Sequence, residues 1–228
     1  MGMAQRTLRR SILLIMHRLP ESPLTFENGL TIEYTPQDDG GGSIQYTDFL
    51  NYIKSTGKTY KHCFEWCAGH GAIGYSLLDA GICESVTFMD IYEPALVNIL
   101  RNAAVNNVAD KVTVYHLDSV GKLPKDLKFD LVVGNPPHSF AKVDFEGEWY
   151  RKIVDEDWKI HREFFMNIND YLELNSDIIL SETCSTHYPN DLSIIAESCG
   201  LKFVGINDAP SLMSDQGVSH GSLHCYKN

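Results

Sequence analysis

Two short stretches hold most of the chemistry that this sequence can offer. The first, Phe64-Glu65-Trp66-Cys67-Ala68-Gly69-His70-Gly71-Ala72-Ile73-Gly74, spaces its glycines as Gly69-x-Gly71-x-x-Gly74. In such a turn small residues let backbone N–H groups approach a ligand. The second is Asn135-Pro136-Pro137-His138. Between them lie Asp90-Ile91 and Asp118-Ser119. A glycine turn of this kind serves either a dinucleotide or the adenosine and methionine of S-adenosylmethionine. Asp90, sixteen residues after Gly74, suits a ribose diol in both cases, because two hydroxyls can donate to one carboxylate. Asp118 with Ser119 suits the exocyclic amine of an adenine. Glu65 discriminates between the two: an anion repels a pyrophosphate and attracts the cationic end of an amino acid.

These residues can meet only if the chain brings strand ends together, and its pattern predicts that. Tyr60 to Cys67 reads as a strand, followed by a helix from Gly71 to about Ala80. Ser85–Asp90 is the next strand, and Pro94 opens a helix with Leu96, Ile99, Leu100 and Ala103 on one face. Lys111–His116 and Phe129–Val133 are the third and fourth strands. A helix then places Trp158, His161, Phe165, Ile168 and Leu172 at spacings of three and four. Asp177–Ser181 is a fifth strand, 190–198 a helix, and 201–206 and 222–226 a final antiparallel pair. Repeated strand–helix units predict an α/β, doubly wound, Rossmann-like sheet of seven mostly parallel strands with an antiparallel C-terminal hairpin edge. Ligands of such sheets bind at the carboxyl ends of the strands, beside the first strand. Residues 1–44, with a short basic helix, the strand-like Leu30–Tyr34 and the break Gly40-Gly41-Gly42, read as an N-terminal extension to a domain at 45–228.

Taken together and in order, Phe64-Glu65-Trp66-Cys67-Ala68-Gly69, Asp90, Asp118 and Asn135-Pro136-Pro137-His138 resemble the class I S-adenosylmethionine-dependent methyltransferases, in the branch with an Asn-Pro-Pro-aromatic motif after the fourth strand. The resemblance covers roughly Tyr46 to Tyr226. It implies S-adenosylmethionine as cofactor, with Glu65, Cys67, Gly69 and Gly71 around its methionine part and Ala68 and Gly74 also cofactor-binding. Asp90 is implied at the ribose, Asp118 and Ser119 at the adenine, and Ile91 among the cofactor-binding residues. It also implies that Asn135, Pro136 and His138 are catalytic, Asn135 lying against both the cofactor and the target nitrogen. The side-chain carbonyl of Asn135 and the backbone carbonyl of Pro136 can each accept a hydrogen bond from a substrate –NH2. Such acceptors favour a tetrahedral nitrogen, and the prolines keep the loop stiff. His138 departs from the Tyr or Phe usual there; an imidazole stacks less extensively and can take a proton.

Composition narrows the partners. The chain has 228 residues, 43% of them hydrophobic, and a net charge of -11. That charge argues against broad, phosphate-driven nucleic-acid binding. Residues 1–18 are the exception, with Arg6, Arg9, Arg10 and Arg18 and no acid. The apolar run Ile12–Met16 is too short to span a membrane, and no small-residue cleavage site follows it. The expectation is a cytoplasmic protein with reduced thiols and no membrane insertion. The acceptor is expected to be a planar amide or amine nitrogen, in a protein glutamine, an RNA or DNA adenine, or a metabolite. Oligomeric state is not read from the sequence.

Other polar residues have plainer explanations. Cys63, Cys67 and His70 lie on a strand and in the ligand turn, so no metal is expected. His220 and His224 read as strand-edge residues. His161 sits on an apolar helix face, as a core histidine does, and with Arg162, Tyr46 and Trp149 it is also a candidate for lining the substrate mouth. Glu182 reads either as a pocket acid or as a solvated strand end. Two rival readings stand beside the methyltransferase: an NAD(P)-dependent oxidoreductase using the glycine turn, and a non-catalytic module that binds adenosyl ligands. The first leaves Glu65 and the Asn-Pro-Pro-His stretch without a purpose; the second draws only on His138.

Overall fold

The computed structural model describes residues 23–35, 42–137, 154–183, 188–208 and 220–227. The basic N-terminal helix expected over 1–18, His138 and Trp149 lie outside them. Two short strands, β1 (Leu24–Thr25) and β2 (Thr31–Ile32), precede α1 (Gly42–Thr56). Strand and helix then alternate through β3 (Tyr60–Trp66), α2 (Ala72–Asp79), β4 (Cys83–Asp90), α3 (Glu93–Val105), β5 (Val112–His116) and β6 (Phe129–Gly134). The chain continues through α4 (Lys159–Ile168), β7 (Leu172–Thr183), α5 (Tyr188–Ser198), β8 (Lys202–Asp208) and β9 (His220–Tyr226).

The larger sheet has seven strands in the order β5-β4-β3-β6-β7-β9-β8. Strands β3 to β7 pair in parallel, whereas β9 runs antiparallel to both β7 and β8. This is the expected doubly wound sheet with its antiparallel edge. The chain leaves β3 toward β4 and β5, then returns to lay β6 on the other side. The carboxyl ends of β3 and β6 therefore flank the crevice where such sheets take ligands.

Side-chain alternation explains why β6 reads as an unbroken apolar run. Leu131 and Val133 enter one core, packed with Phe49, Ile53, Ile73, Leu77, Ile99 and Ile179 beneath α1, α2 and α3. Val132 enters the other, with Phe64, Trp66, Phe164, Phe165, Ile168, Leu180 and Leu192 beneath α4 and α5. A strand covered on both faces has no polar side to show. Leu24, Phe26, Ile32 and Tyr34, from the stretch read as an extension, share the first core. Their backbone is tied down by Asp79, which accepts from the N–H groups of Asn28 and Leu30 at 2.8 and 2.9 Å.

Two helix readings need correction. Leu100 is 52% exposed: α3 buries Ala95, Leu96, Ile99, Asn102 and Ala103, so the apolar stripe is one residue narrower than the sequence implies. Leu172 begins β7 and does not close the preceding helix, which ends at Ile168 in a tight turn at Asn169–Tyr171. The apolar spacing ran on because Tyr171 and Leu172 enter the same core as Phe165 and Ile168.

Candidate functional site

The glycine turn is built as its residue types demand. Past β3 the backbone turns sharply at Cys67, whose φ is 53°, a left-handed conformation that a residue with a Cβ holds only where its surroundings fix it. Ala68 N–H donates to the Met89 carbonyl at 3.0 Å, and Gly71 N–H donates back to Ala68 at 2.8 Å. Gly71 caps α2 with φ 77°; a Cβ there would also come within 2.8 Å of the Phe88 ring. Gly74 is needed for closeness. A Cβ there would lie 2.7 Å from Glu65 Oε2 and from Phe88 and 2.8 Å from Val86. At Gly69 a Cβ would meet no atom within 4 Å, so the mouth of the turn is open.

Glu65 faces inward from β3. It is 2% exposed, and its Oε2 accepts from Gly74 N–H at 2.6 Å. It pins the first turn of α2 to β3, and so acts on the shape of the site from behind. Asp90 is at the end of β4 as expected. Its Oδ2 accepts from Gly69 N–H and its Oδ1 from Tyr92 N–H, each at 2.8 Å. A carboxylate has about four lone-pair directions, so these two bonds orient Asp90 and leave capacity for hydroxyl donors. Ile91, 57% exposed, offers an apolar rim next to it.

The other expected contacts are less uniform. Asp118 is exposed and pairs with Lys122 at 2.5 Å, which holds its carboxyl below the ordinary value. The Ser119 hydroxyl donates to Glu163 on α4 and accepts from Gly121 N–H at 3.2 Å. Asn135 is half-buried, and Pro136 and Pro137 are buried. The residue before them is Gly134, and a Cβ on it would sit 2.6 Å from the Trp66 carbonyl. Close approach of β6 to β3 at this one point sets Asn135 beside the glycine turn. Nothing in the pattern of residues around Gly134 marks it; only its pairing with Trp66 does.

The described residues expected to line the substrate mouth are held by partners of their own. Tyr46 packs edge-on against Phe26 at 5.1 Å and lines a shallow cavity with Thr25, Glu27 and Leu50. Arg162 is exposed on α4, its Nε donating to the Asp157 carbonyl at 3.3 Å. His161 is fully buried. Its Nδ1 lies 2.6 Å from Asp155 Oδ2 and its Nε2 2.9 Å from Glu182 Oε1. The rings of Trp66 and Trp158 stand edge-on to it at 5.4 and 5.2 Å. Burial alone would lower the His161 pKa, but the Glu182 and Asp155 carboxylates outweigh it and raise it to about 9. Glu182 is itself raised by burial, partly opposed by His161. Asp155 was missed in the sequence, although an acid just ahead of a helix is a recognisable signal: it accepts from Ile160 and His161 N–H at 2.8 and 3.0 Å.

Cys67 is the meeting point. Its thiol is pushed well up by burial and further by the nearby charges of Asp90, Asp155, Glu182 and Glu163. A thiol so held is a packing group and no nucleophile. Four carboxylates thus lie near enough to act on this thiol at the carboxyl end of β3, a setting that suits a cation.

Residues 49–158 match the family model of the methyltransferase small domain. Over 79 residues the chain is 35% identical to the release factor glutamine methyltransferase of Fusobacterium nucleatum, a stretch covering 35% of this chain and 22% of that protein. The chain thus matches about a fifth of the length of that curated relative. Among solved structures, a methyltransferase from Pyrococcus furiosus superposes with a TM-score of 0.66 at 16% identity, over 97% of this chain and 98% of that one. The glycopeptide N-methyltransferase MtfA, solved with S-adenosylmethionine, superposes with a TM-score of 0.58 at 14% identity, over 81% and 94%. At these identities the structures attest the fold.

Proposed function

We infer that the chain belongs to the class I S-adenosylmethionine-dependent methyltransferases and that it transfers the methyl group to a planar nitrogen, with a primary carboxamide of a protein glutamine as the acceptor. The observation that carries this reading is the pairing of Trp66 with Gly134, which joins the glycine turn to Asn135-Pro136-Pro137. The curated relative named above is a glutamine methyltransferase, and the net charge of -11 disfavours a polyanionic substrate.

The residues fit the cofactor. The space at Gly69 and the remaining acceptor capacity of Asp90 suit a ribosyl group, and exposed Ile91 suits the face of an adenine. When bound, S-adenosylmethionine supplies an electrophilic methyl on a sulfonium. Asn135 Oδ1 and the Pro136 carbonyl accept the two amide hydrogens and hold the nitrogen with its lone pair directed away from the amide plane. The acids around Cys67 favour a cationic ligand over a neutral one. His138 is left to orient the flat acceptor. Asp118, spent on Lys122, has the smallest part; Ile91 and Ser119 bound the adenine end.

Calorimetry with S-adenosylmethionine, S-adenosylhomocysteine and NAD(P) tests the premise, with binding of the adenosyl ligands alone expected. Asn135→Ala is expected to lower methyl transfer by about 100-fold or more, the scale of losing one positioned hydrogen-bonding group at a reacting centre, with cofactor affinity kept. Transfer at the wild-type rate in Asn135→Ala would refute the assignment.

A further inference from the structure

Among the described residues, Gln45 Oε1 and Ser181 Oγ are buried with no hydrogen-bond partner. Gln45 is 3% exposed and Ser181 2%. Native structures leave very few such groups unsatisfied, and each calls for an explanation. Their places in the fold supply one.

Leu180 pairs with Gly134, so in these parallel strands the next residue, Ser181, stands alongside Asn135. Ser181 shares a face of β7 with Ile179, two residues earlier, and Ile179 packs in the core beneath α1. Helix α1 crosses that face at a known height. Tyr52 Oη is 2.9 Å from His224 Nδ1, and His224 pairs with Ile179. Because α1 leads down into the amino end of β3, its own first turn points to the carboxyl ends of the strands. Gln45 is seven residues before Tyr52 and on the same side of the helix, about 10 Å further up. Ser181 is about 7 Å above Ile179 on β7. Both therefore reach the level of Asn135, on the face that α1 covers.

We propose that Ser181 and Gln45 are the specificity-determining pair for the methyl acceptor, donating to the carbonyl oxygen of a primary carboxamide whose nitrogen lies at Asn135. This rests on the function proposed above and adds what reads the acceptor. A primary carboxamide has two donor hydrogens and one acceptor oxygen. Asn135 and Pro136 are acceptors and match the hydrogens; the oxygen needs donors. The Ser181 hydroxyl is one. The Gln45 amide is the other, since a half-turn exchanges its Oε1 for Nε2 without change of shape. Both groups are neutral, so the pair fits a neutral amide and gives a carboxylate or phosphate no counter-charge. Drawing on the oxygen pulls the nitrogen lone pair toward the carbonyl. The pair thus contributes to binding and not to the chemical step, and a site built to hydrogen-bond a substrate group rejects analogues lacking it.

The test uses the 15N-labelled full chain saturated with S-adenosylhomocysteine and titrated with N-acetylglutamine methylamide. The Gln45 side-chain resonances are expected to shift, and Ser181→Ala and Gln45→Met to weaken amide binding about tenfold, with S-adenosylhomocysteine affinity within twofold of wild type. In turnover assays the same variants should raise KM for the amide without lowering kcat. Gln45→Met keeps the side-chain length, and Ser181→Ala is the smaller change should Gln45→Met not fold. Amide binding unchanged in a folded variant, a tenfold loss of S-adenosylhomocysteine affinity, or adenosine taking the same resonances more tightly than the amide would each overturn the pair's role. A wild-type protein that does not bind S-adenosylhomocysteine would instead overturn the function on which it rests.

Discussion

The sheet carries a buried histidine–aspartate pair near each end, and the two are wired in opposite senses. Near the carboxyl ends, one imidazole is shared by two acids, Asp155 and Glu182, at 2.6 and 2.9 Å. Toward the amino ends, one acid is shared by three donors. Asp177 takes Lys58 Nζ at 2.6 Å, Tyr60 Oη at 2.8 Å and His224 Nε2 at 2.9 Å, and Tyr52 completes the chain on His224. In the first cluster the acids hold a proton on the histidine, raised to about 9. In the second, burial would raise Asp177, but the His224, Lys58 and Tyr60 bonds overcome it and lower its pKa to about 2. Excess acceptors fix a cation; excess donors fix an anion. The acid-rich cluster lies next to Trp66 and near the Cys67 thiol, where a cationic cofactor is proposed to bind. The donor-rich cluster ties α1, β3, β7 and β9 together away from it.

Removing the shared residue of the upper cluster is expected to do the most harm. His161→Leu leaves two buried carboxylates facing each other, and loss of one member of a buried charged set costs roughly 3–5 kcal/mol. Urea unfolding measures it, and a loss under about 1 kcal/mol would mean that the two acids are protonated and the charge assignment is wrong. Asp177→Asn keeps the shape of the lower cluster and removes its charge. About 2 kcal/mol is expected there, since hydrogen bonds to charged groups are the stronger ones. Because that cluster is remote from the crevice, cofactor affinity should hold while the denaturation midpoint falls; a matching loss of affinity would erase the distinction between the two.

The smallest and most diagnostic effect is the dependence on pH. A raised histidine pKa stabilises the fold fully below its unfolded value, near 6.5, and that stability is lost as pH rises through about 9. The raised Glu182 adds in the same direction. A lowered aspartate pKa stabilises above its unfolded value, near 4, and is lost as pH falls toward about 2. Melting temperatures from pH 2 to 10 should decline at both ends. His161→Leu should flatten the alkaline arm alone, and Asp177→Asn the acid arm alone. If either variant flattens the opposite arm, the two clusters are coupled through the sheet.

Much of this was legible in the chain. Local chemistry settled the elements: the period-two and continuous apolar runs made strands, Gly71 and Gly74 made the turn, and Pro94 opened α3 in its first turn. The order of Glu65, Gly69, Asp90 and Asn135 named the family because each ends a strand or begins a turn, and such positions are fixed by neighbours in sequence. What stayed hidden is what neighbours in space decide. Glu65 could not be seen to turn inward, because its partner Gly74 N–H becomes a donor only when α2 packs against β3. His161 could be read as a core histidine from its helix face, but its charge depends on Asp155 and Glu182, brought together by a loop and by β7. Gly134 looked like an ordinary end of a strand until the Trp66 carbonyl stood 2.6 Å from where its Cβ would be. Composition and local pattern determine which backbone can form, since those energies act within a turn or a strand. Protonation, close approach and an unsatisfied hydroxyl such as that of Ser181 depend on distances across the sheet, and only the folded chain sets those.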